Sequence, residues 1–464
     1  MKFSKTLMSI TAAGALCAAA TPALAFDNEI HGSYLMKYFV TNYEAVGNRY
    51  IFRDSDNDFT NSRSRKTSNY FDTRTRFYYS AKASDDLKLV TAFEIDAVFG
   101  DRAQQTARNG GAALEADQVN LETKWVYLDF KIPSTPVKIT AGIQPIKDKF
   151  KGIFFDADVA GINSVTTMGP ATIGLGYFRA YDSDLFTTSN DNTNARGVDN
   201  LDIVALSADY NVNKNLRVGG AYYLYNDDRS ANTLTVHCFG ANFDAKINKL
   251  ALSGFAAMQQ GEVKNSDVSI SALAFNLAAK HPVGPGTLKV AALYTTGDDG
   301  DNNTNTAWQA VNQSPNGANN GTNGNTNMTN SYNESGMMLL NRNTSTGGTT
   351  TDYHLVQGAG NLDQGVILAT IGYDATINPK WYAKTNVGAA WVSSNNSQMT
   401  NLKTHGNNFI GTEINLETGY KLYDNLTASV QGAYVILGGY YSDMDNGRDP
   451  ANPFTARLAL NYAF

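Results

Sequence analysis

Apolar and polar residues alternate one by one over several long stretches of the chain. At the C-terminus the even positions from Phe454 to Phe464 are all apolar or aromatic, and the odd positions between them include Arg457. The same alternation covers residues 410–418 and 426–436. Because successive side chains of a β-strand point to opposite faces, each stretch predicts a strand with one apolar and one polar face.

The segments that connect these stretches alternate in length. Eight of them are short turns, at Ser84–Asp86, Pro133–Pro136, Met168–Pro170, Asn213–Asn215, Asn248–Lys249, His281–Gly286, Asn378–Lys380 and Tyr423–Asn425. Longer polar segments separate the turns, at 41–66, 100–118, 182–200, 297–364 and 438–453. Short turns at one end and long loops at the other are typical of a transmembrane β-barrel.

This pattern predicts the fold class and the strand count. Eight turns join sixteen strands, and one further strand at each end of the chain makes eighteen. We therefore expect an all-β fold, an antiparallel up-and-down transmembrane barrel of about 18 strands, with 16 as the alternative. An even count places both termini on the periplasmic side.

The segment 297–364 is rich in Asn, Gly and Thr and cannot build a large core of its own. It predicts a long extracellular loop. Its two less polar pieces, Met337–Leu340 and Tyr353–Val356, are candidates for a hairpin.

The N-terminus has the features of an export signal. Lys2 and Lys5 precede an apolar stretch at 7–20, and Ala23-Leu24-Ala25 forms a small-residue cleavage site. We expect residues 1–25 to be a signal peptide and residues 26–464 to be the barrel. After the leader no apolar run approaches the ~18 residues that a spanning helix needs, whereas 25 tyrosines, 22 phenylalanines and 40 glycines favour β structure.

Composition and motifs argue against several other functions. A net charge of −6 argues against a nucleic-acid partner. Only Cys238 follows the leader, so an intrachain disulfide is excluded, and no C-x-x-C-H haem motif occurs. The acidic run at 54–58 opens like a calcium loop, but Phe59 replaces its glycine and Arg65 its glutamate. The five histidines are scattered, so we expect no metal site, no cofactor and no enzyme.

Charged residues of the second and third predicted strands point to a wet interior. Arg74 and Arg76 share one parity, and Phe71, Phe77 and their intervening threonines share the other. An arginine on the lipid face costs roughly 2–4 kcal/mol near the midplane, so the arginines are expected to face the lumen. The same argument turns Glu94 and Asp96 inward. Lys138 on the fifth strand has lumen parity as well.

The loop that follows the fifth strand, residues 145–161, is apolar and aromatic, unlike the other loops. Such a loop is expected to pack against the inner wall and to narrow the channel. Its carboxylates Asp156 and Asp158 would then face Arg74 and Arg76 across the opening. We expect the constriction to have a basic wall of Arg74, Arg76 and Lys138 and an acidic side of Glu94, Asp96, Asp156 and Asp158, and opposed charges would sort ions. Lys124 receives no role because its strand shows a parity conflict at Trp125. The alternative is that all these charges are solvated wall residues or wall salt bridges.

Several segments resemble a known family. Residues 125–130 (WVYLDF), then Pro133 and residues 139–144 (ITAGIQ), and residues 155–161 (FDADVAG) resemble the trimeric outer-membrane porins of anaerobic delta-proteobacteria. The match is best over roughly residues 70–180. The resemblance implies a homotrimer of water-filled pores in the outer membrane, in contact with lipid and lipopolysaccharide. The C-terminal LNYAF, with Tyr462 and Phe464, resembles the signature read by the barrel-assembly machinery.

The leading functional hypothesis is therefore a passive channel for small hydrophilic solutes and ions. The first alternative is a substrate-selective outer-membrane channel. A barrel that supports an electron-transfer conduit or envelope integrity, and an outer-membrane enzyme, are the further alternatives.

Overall fold

The computed structural model describes residues 27–44, 67–101, 112–114, 120–182, 197, 199–229, 231–301, 303–311, 330–344, 353–395, 407–442 and 449–464. The predicted signal peptide at 1–25, the acidic run at 54–58 and His405 lie outside the described residues.

Most of the described chain is β-strand. The strands are β1 (Asp27–Thr41), β2 (Ser68–Ser84), β3 (Leu87–Val98), β4 (Glu122–Lys131), β5 (Val137–Lys147), β6 (Asp156–Met168), β7 (Ala171–Asp182), β8 (Asn200–Asn213), β9 (Leu216–Asp227), β10 (Leu234–Ile247), β11 (Leu250–Val263), β12 (Val268–Val283), β13 (Gly286–Thr295), β14 (Thr304–Asn305), β15 (Val366–Thr376), β16 (Trp381–Trp391), β17 (Phe409–Tyr423), β18 (Leu426–Leu437) and β19 (Phe454–Ala463). Two short 3-10 turns occur at Asn333–Ser335 and Gly439–Tyr441. Neither described helical turn is long enough to cross a membrane.

The sheet closes on itself. Each long strand pairs antiparallel with the next, and β19 pairs back to β1 with Tyr34 opposite Tyr462. The two-residue β14 pairs only with β12, in parallel, while β13 pairs directly with β15. The described strands thus form a closed barrel of eighteen, which confirms the predicted fold class and strand count. The eight predicted short turns all lie between consecutive strands.

The two faces of the barrel wall differ in polarity, as the alternation predicts. Ile162, Leu175 and Leu458 are 55–57% exposed on the outer face. On the inner face Glu413 and Arg457 are at most 1% exposed. Glu413 is covered by residues 338–340, and Arg457 forms an ion pair with Glu44. Because the ring of strands is closed, it has no unpaired strand edge and can lie within a membrane. Its apolar outer face can then contact lipid while its polar inner face lines the bore.

One hairpin leaves the wall and enters the barrel. The pairing of β4 with β5 ends at Val126 and Ile143, and the pairing of β6 with β7 starts at Ala160 and Arg179. Beyond these points the two arms of the hairpin, within residues 144–159, pair with each other and no longer pair with β4 or β7. We call residues 144–159 the hairpin extension. The constriction loop was predicted at 145–161, but it is shorter in the structure. Its two ends belong to β5 and β6, and only 148–155 is loop.

The long segment between β13 and β15 also enters the barrel. Met337, Leu339 and Leu340 are fully buried, so the described part at 330–344, which we call the lumen segment, does not extend outward as an extracellular loop. The interpretation of 297–364 is revised accordingly, since its apolar side chains gain burial inside the barrel. The two less polar pieces do pair, with Leu355 N donating to Leu339 O at 3.0 Å and Val356 N to Leu340 O at 2.8 Å. Their bridge is parallel, unlike the predicted hairpin.

Candidate pore lining

Four of the predicted charged residues lie together on the inner face of β2 and β3. The register sets Arg74 opposite Asp96 and Arg76 opposite Glu94. Arg74 donates to both oxygens of Asp96, at 2.7 and 2.5 Å, and its guanidinium also lies 3.1 Å from Glu94. Arg76 Nε donates to Glu94 Oε2 at 2.5 Å. The basic and acidic residues are therefore neighbours on one wall, whereas the sequence-based interpretation separated them into a basic and an acidic side.

A β-bulge extends this group to β4. The register shifts so that Ala92 faces Trp125 while Phe93 faces Thr123, which leaves Lys124 as the extra residue. Lys124 and Trp125 both reach the hairpin extension: Lys124 Nζ donates to Asp158 at 2.6 Å and Trp125 Nε1 donates to it at 2.7 Å. The bulge is the physical reason for the parity conflict at Trp125. We call five of the charged residues of β2–β4 the paired wall: Arg74, Arg76, Glu94, Asp96 and Lys124.

The remaining predicted residues lie elsewhere. Asp156 accepts hydrogen bonds from Lys147 at 2.7 Å and from Ser331 of the lumen segment at 2.8 Å, not from either arginine. Lys138 is next to the β4–β5 turn, 2.9 Å from Asp129, and its side chain is 56% exposed. The structure thus brings Asp158 to the paired wall, directs Asp156 toward the lumen segment, and leaves Lys138 at the turn end of the barrel.

The tip of the hairpin extension packs against the far wall. Phe150 contacts Tyr223 of β9 and Phe255 of β11, with ring centroids 5.8 and 5.6 Å apart. Phe154 packs edge-on against Trp308 at 6.4 Å. These rings are at most 4% exposed, so the predicted packing of this loop against the inner wall is present in the structure. The extension therefore divides the lumen.

Asp148 organises the turn at this tip. Its carboxylate accepts backbone N–H groups from Phe150, Gly152, Phe154 and Phe155, at 2.6–3.1 Å. Burial raises the pKa of this carboxyl to about 6, and the four N–H groups oppose that rise.

Glu413 of β17 holds the lumen segment. It accepts the backbone N–H groups of Met338, Leu339 and Leu340 at 2.7–2.9 Å. Beside it Asn415 Nδ2 donates to Gly336 O at 2.9 Å. Three consecutive N–H groups that converge on one carboxylate fix the segment against β17, since each would otherwise lack an acceptor in a buried position.

A chamber of about 420 Å³ lies on the inner face at the turn end of β8–β12. Its charged lining residues are Lys151, Lys214, Arg217, Asp244, Lys246, Lys280 and Glu334. Lys151 and Glu334 enter from the hairpin tip and the lumen segment, and they are 3.1 Å apart. The chamber therefore lies between the turn end of the barrel wall and the two inward-folded segments, the hairpin extension and the lumen segment.

Sequence reasoning missed Lys124, Glu413 and the chamber lysines. The signal for Lys124 was the parity conflict itself, which marks a bulge. Alternation along the strands places Glu413, Lys246 and Lys280 on the inner face. It does not show which charged side chains form ion pairs or hydrogen bonds.

The C-terminal residues complete the closure seam on the outer face. Phe464 exchanges two backbone hydrogen bonds with Gly32 of β1, at 2.8 and 3.0 Å, and its ring stacks on Tyr462 at 5.7 Å. A Cβ at Gly32 would lie 2.5 Å from the Phe464 ring, so glycine is needed for this close approach.

Comparison with known proteins supports the fold and gives no family. No protein-family model matches the chain, and no curated protein matches it either. Among solved structures, the outer membrane protein OpdK of Pseudomonas aeruginosa superimposes with a TM-score of 0.54 at 10% identity, over 94% of this chain and 98% of that one. OccK8 (OprE) of the same organism gives 0.54 at 11% identity, with the same coverage.

OccAB4 of Acinetobacter baumannii gives a TM-score of 0.52 at 11% identity, over 96% of this chain and 100% of that one. At such identities the likeness is one of fold: the chain has the closed antiparallel barrel of these outer-membrane proteins.

Proposed function

We propose that this protein is a porin of a Gram-negative outer membrane, forming a water-filled channel for the passive passage of small hydrophilic solutes and ions. One observation carries the proposal: the closed ring of strands is apolar outside and charged inside. Charged residues facing lipid would be costly, whereas inside a wet bore they are solvated and attract ions.

We infer that the charges beside the hairpin extension act as a sorting element of the channel. Arg76 and Lys124 retain exposed surface, with side chains 30% and 21% exposed, and Asp158 of the hairpin extension is 30% exposed beside them. Solutes that pass between the extension and the paired wall meet both signs of charge at short range. Such a field orders water and slows apolar solutes.

Planar-bilayer recording tests the channel. Purified protein should give stepwise conductance increments in KCl, and a heat-denatured sample of the same preparation should give none. Circular dichroism of the same sample verifies that the barrel is folded. A folded barrel that remains closed at all applied voltages would contradict the proposal.

A substrate-selective channel is the second candidate, and the filling of the lumen favours it. The hairpin extension and the lumen segment both cross the bore and bury their apolar residues there. Uptake into proteoliposomes separates the two functions. Rates that rise linearly with concentration for many solutes support diffusion, and saturation for one solute class supports selectivity.

We also infer a homotrimer and outer-membrane assembly through the C-terminus. The trimer is supported by the resemblance to delta-proteobacterial porins, and native mass spectrometry of the detergent-extracted protein tests it. The role of Tyr462 and Phe464 in recognition by the assembly machinery is tested by deleting Phe464. We expect less barrel in the outer membrane and more unfolded precursor in the periplasm, compared with a variant shortened within a loop.

A further inference from the structure

We propose that the chamber at the turn end of β8–β12 is a binding site for small anions that carry two or more negative charges. The biological role of this site rests on the proposed channel function, because solutes would reach the chamber through the lumen. The binding itself follows from the residues that line it.

Strand register builds the floor of the site. Lys246 of β10 and Lys280 of β12 are both opposite Ala251 of β11, so the three residues form one row across adjacent strands. Two strand spacings separate the lysines by about 9–10 Å at the backbone. We call Lys246, Ala251 and Lys280 the lysine row.

The lysine row faces the lumen. Lys246 shares parity with Asp244, and Lys280 shares it with Asn276, whose amide donates to Tyr332 of the lumen segment at 2.5 Å. All three residues of the row line the chamber. The methyl group of Ala251 leaves space between the two long side chains, so both ammonium groups can turn toward one ligand.

The charges of the chamber do not cancel. Arg217 pairs with Asp244, and Lys151 pairs with Glu334. Among the described residues, Lys214, Lys246 and Lys280 have no ion-pair partner. The chamber therefore carries an excess of three positive charges, in a concave site where the field of neighbouring cations adds up.

The remaining lining suits an oxyanion. Asn211 and Asn213 on β8 and Ser253 on β11 offer neutral hydrogen-bonding groups beside the lysines. Ser253 Oγ accepts a hydrogen bond from Lys151 Nζ at 3.1 Å. A volume of about 420 Å³ holds a phosphate or a small dicarboxylate with some of its water. A divalent anion can neutralise both members of the row at once, whereas chloride can neutralise only one at a time.

Equilibrium binding to the folded protein tests this without requiring ion flow. Inorganic phosphate is titrated into the full chain in detergent at low ionic strength, by isothermal titration calorimetry. The test variant is Lys246→Gln with Lys280→Gln. The control is Lys249→Gln, which removes one lysine charge from the adjacent turn, at a residue that does not line the chamber.

We expect phosphate to bind the parent and the Lys249→Gln variant alike, and to bind the double variant about tenfold more weakly or not at all. No phosphate binding by the folded parent, or equal binding by the double variant, would overturn the inference. A closed barrel in planar bilayers that still binds phosphate would refute the channel and leave the site standing. A conducting channel that does not bind phosphate would do the reverse.

Discussion

The paired wall of β2–β4 and the lysine row of β10–β12 are both charged, both face the lumen, and behave differently. On the paired wall the arginines have carboxylate partners on the neighbouring strand, and the side chain of Asp96 is only 1% exposed. In the lysine row two cations flank an alanine and lack any ion-pair partner among the described residues. The first arrangement stabilises a section of wall, and the second is available to a solute.

This difference shows that the charge of a lumen residue is a poor guide to its effect on ions. A bidentate arginine–carboxylate pair presents a dipole, whose field declines quickly with distance. An unpaired ammonium group presents a full charge. Ion preference is therefore expected to depend more on the lysine row, and barrel stability more on the paired wall.

The largest expected effect comes from changing the paired wall into an unpaired one. Arg74→Ala with Arg76→Ala leaves Glu94 and Asp96 without their partners. Removing one partner of a buried ion pair costs about 3–5 kcal/mol, so the free energy of unfolding should fall by that order. The two uncompensated carboxylates should also shift the reversal potential toward cation preference.

The measurements are urea unfolding in detergent and the reversal potential across a KCl gradient. The control adds Glu94→Gln and Asp96→Asn to the double arginine variant. It should restore the reversal potential of the parent but only part of the lost free energy of unfolding. An unchanged reversal potential in the double arginine variant would remove these residues from the ion path.

The next effect concerns the lumen segment, which contributes Glu334 to the lining of the chamber. Glu413→Gln replaces a carboxylate that accepts three N–H groups by an amide that meets them with one oxygen. A buried N–H group without an acceptor costs about 1–3 kcal/mol, so the lumen segment should be released for part of the time. We expect a larger single-channel conductance and more frequent current fluctuations.

Glu417→Gln is the matched control for Glu413→Gln. Glu417 is a lumen carboxylate of the same strand, but it accepts hydrogen bonds from Tyr382, Lys384 and Gln431 of the barrel wall. Its variant should leave the fluctuations of the current as they are in the parent. Equal fluctuations in both variants would mean that Glu413 does not anchor the segment.

A smaller, pH-dependent effect is expected at the hairpin tip that separates the two regions. Because the pKa of Asp148 is about 6 in the folded tip and 3.8 ordinarily, the folded tip binds the proton more tightly. The added stability is complete below pH 3.8 and is lost as the pH rises through about 6.

Hydrogen exchange of a peptide covering residues 148–155, corrected for intrinsic rates, measures this stability. Protection should fall between pH 3.8 and about pH 6 in the parent, and should change little above that. It should stay level in Asp148→Asn, which cannot titrate. A parallel decline in both proteins would assign the effect to another group.

The smallest effect is expected at Lys138. Its pairing with Asp129 at the turn end is exposed, and such pairs contribute about 0–1 kcal/mol. Lys138→Gln should leave unfolding and reversal potential close to those of the parent. A reversal-potential shift as large as that of the arginine variant would place Lys138 in the narrow part of the channel after all.

Much of the barrel could be predicted from local pattern. Every-other-residue alternation assigned the inward residues of β2, β3 and β19, and eight turn signals gave the strand count, because both are encoded in residues adjacent along the chain. The path of the hairpin extension was predicted in outline from its aromatic composition, but its boundaries were not. The ends of that loop are strand in the structure because β5 and β6 continue to pair with each other after their outer neighbours have ended.

The amino-acid sequence by itself determined which side chains face lipid and which face the bore. That choice follows from a period of two and from the cost of placing charge in hydrocarbon. Only the tertiary structure decided which lumen charges are paired, that Lys124 turns inward at a bulge, and that the lumen segment lies inside the barrel against Glu413. Those outcomes depend on strand register and on contacts between residues far apart in the chain, and alternation carries no information about either.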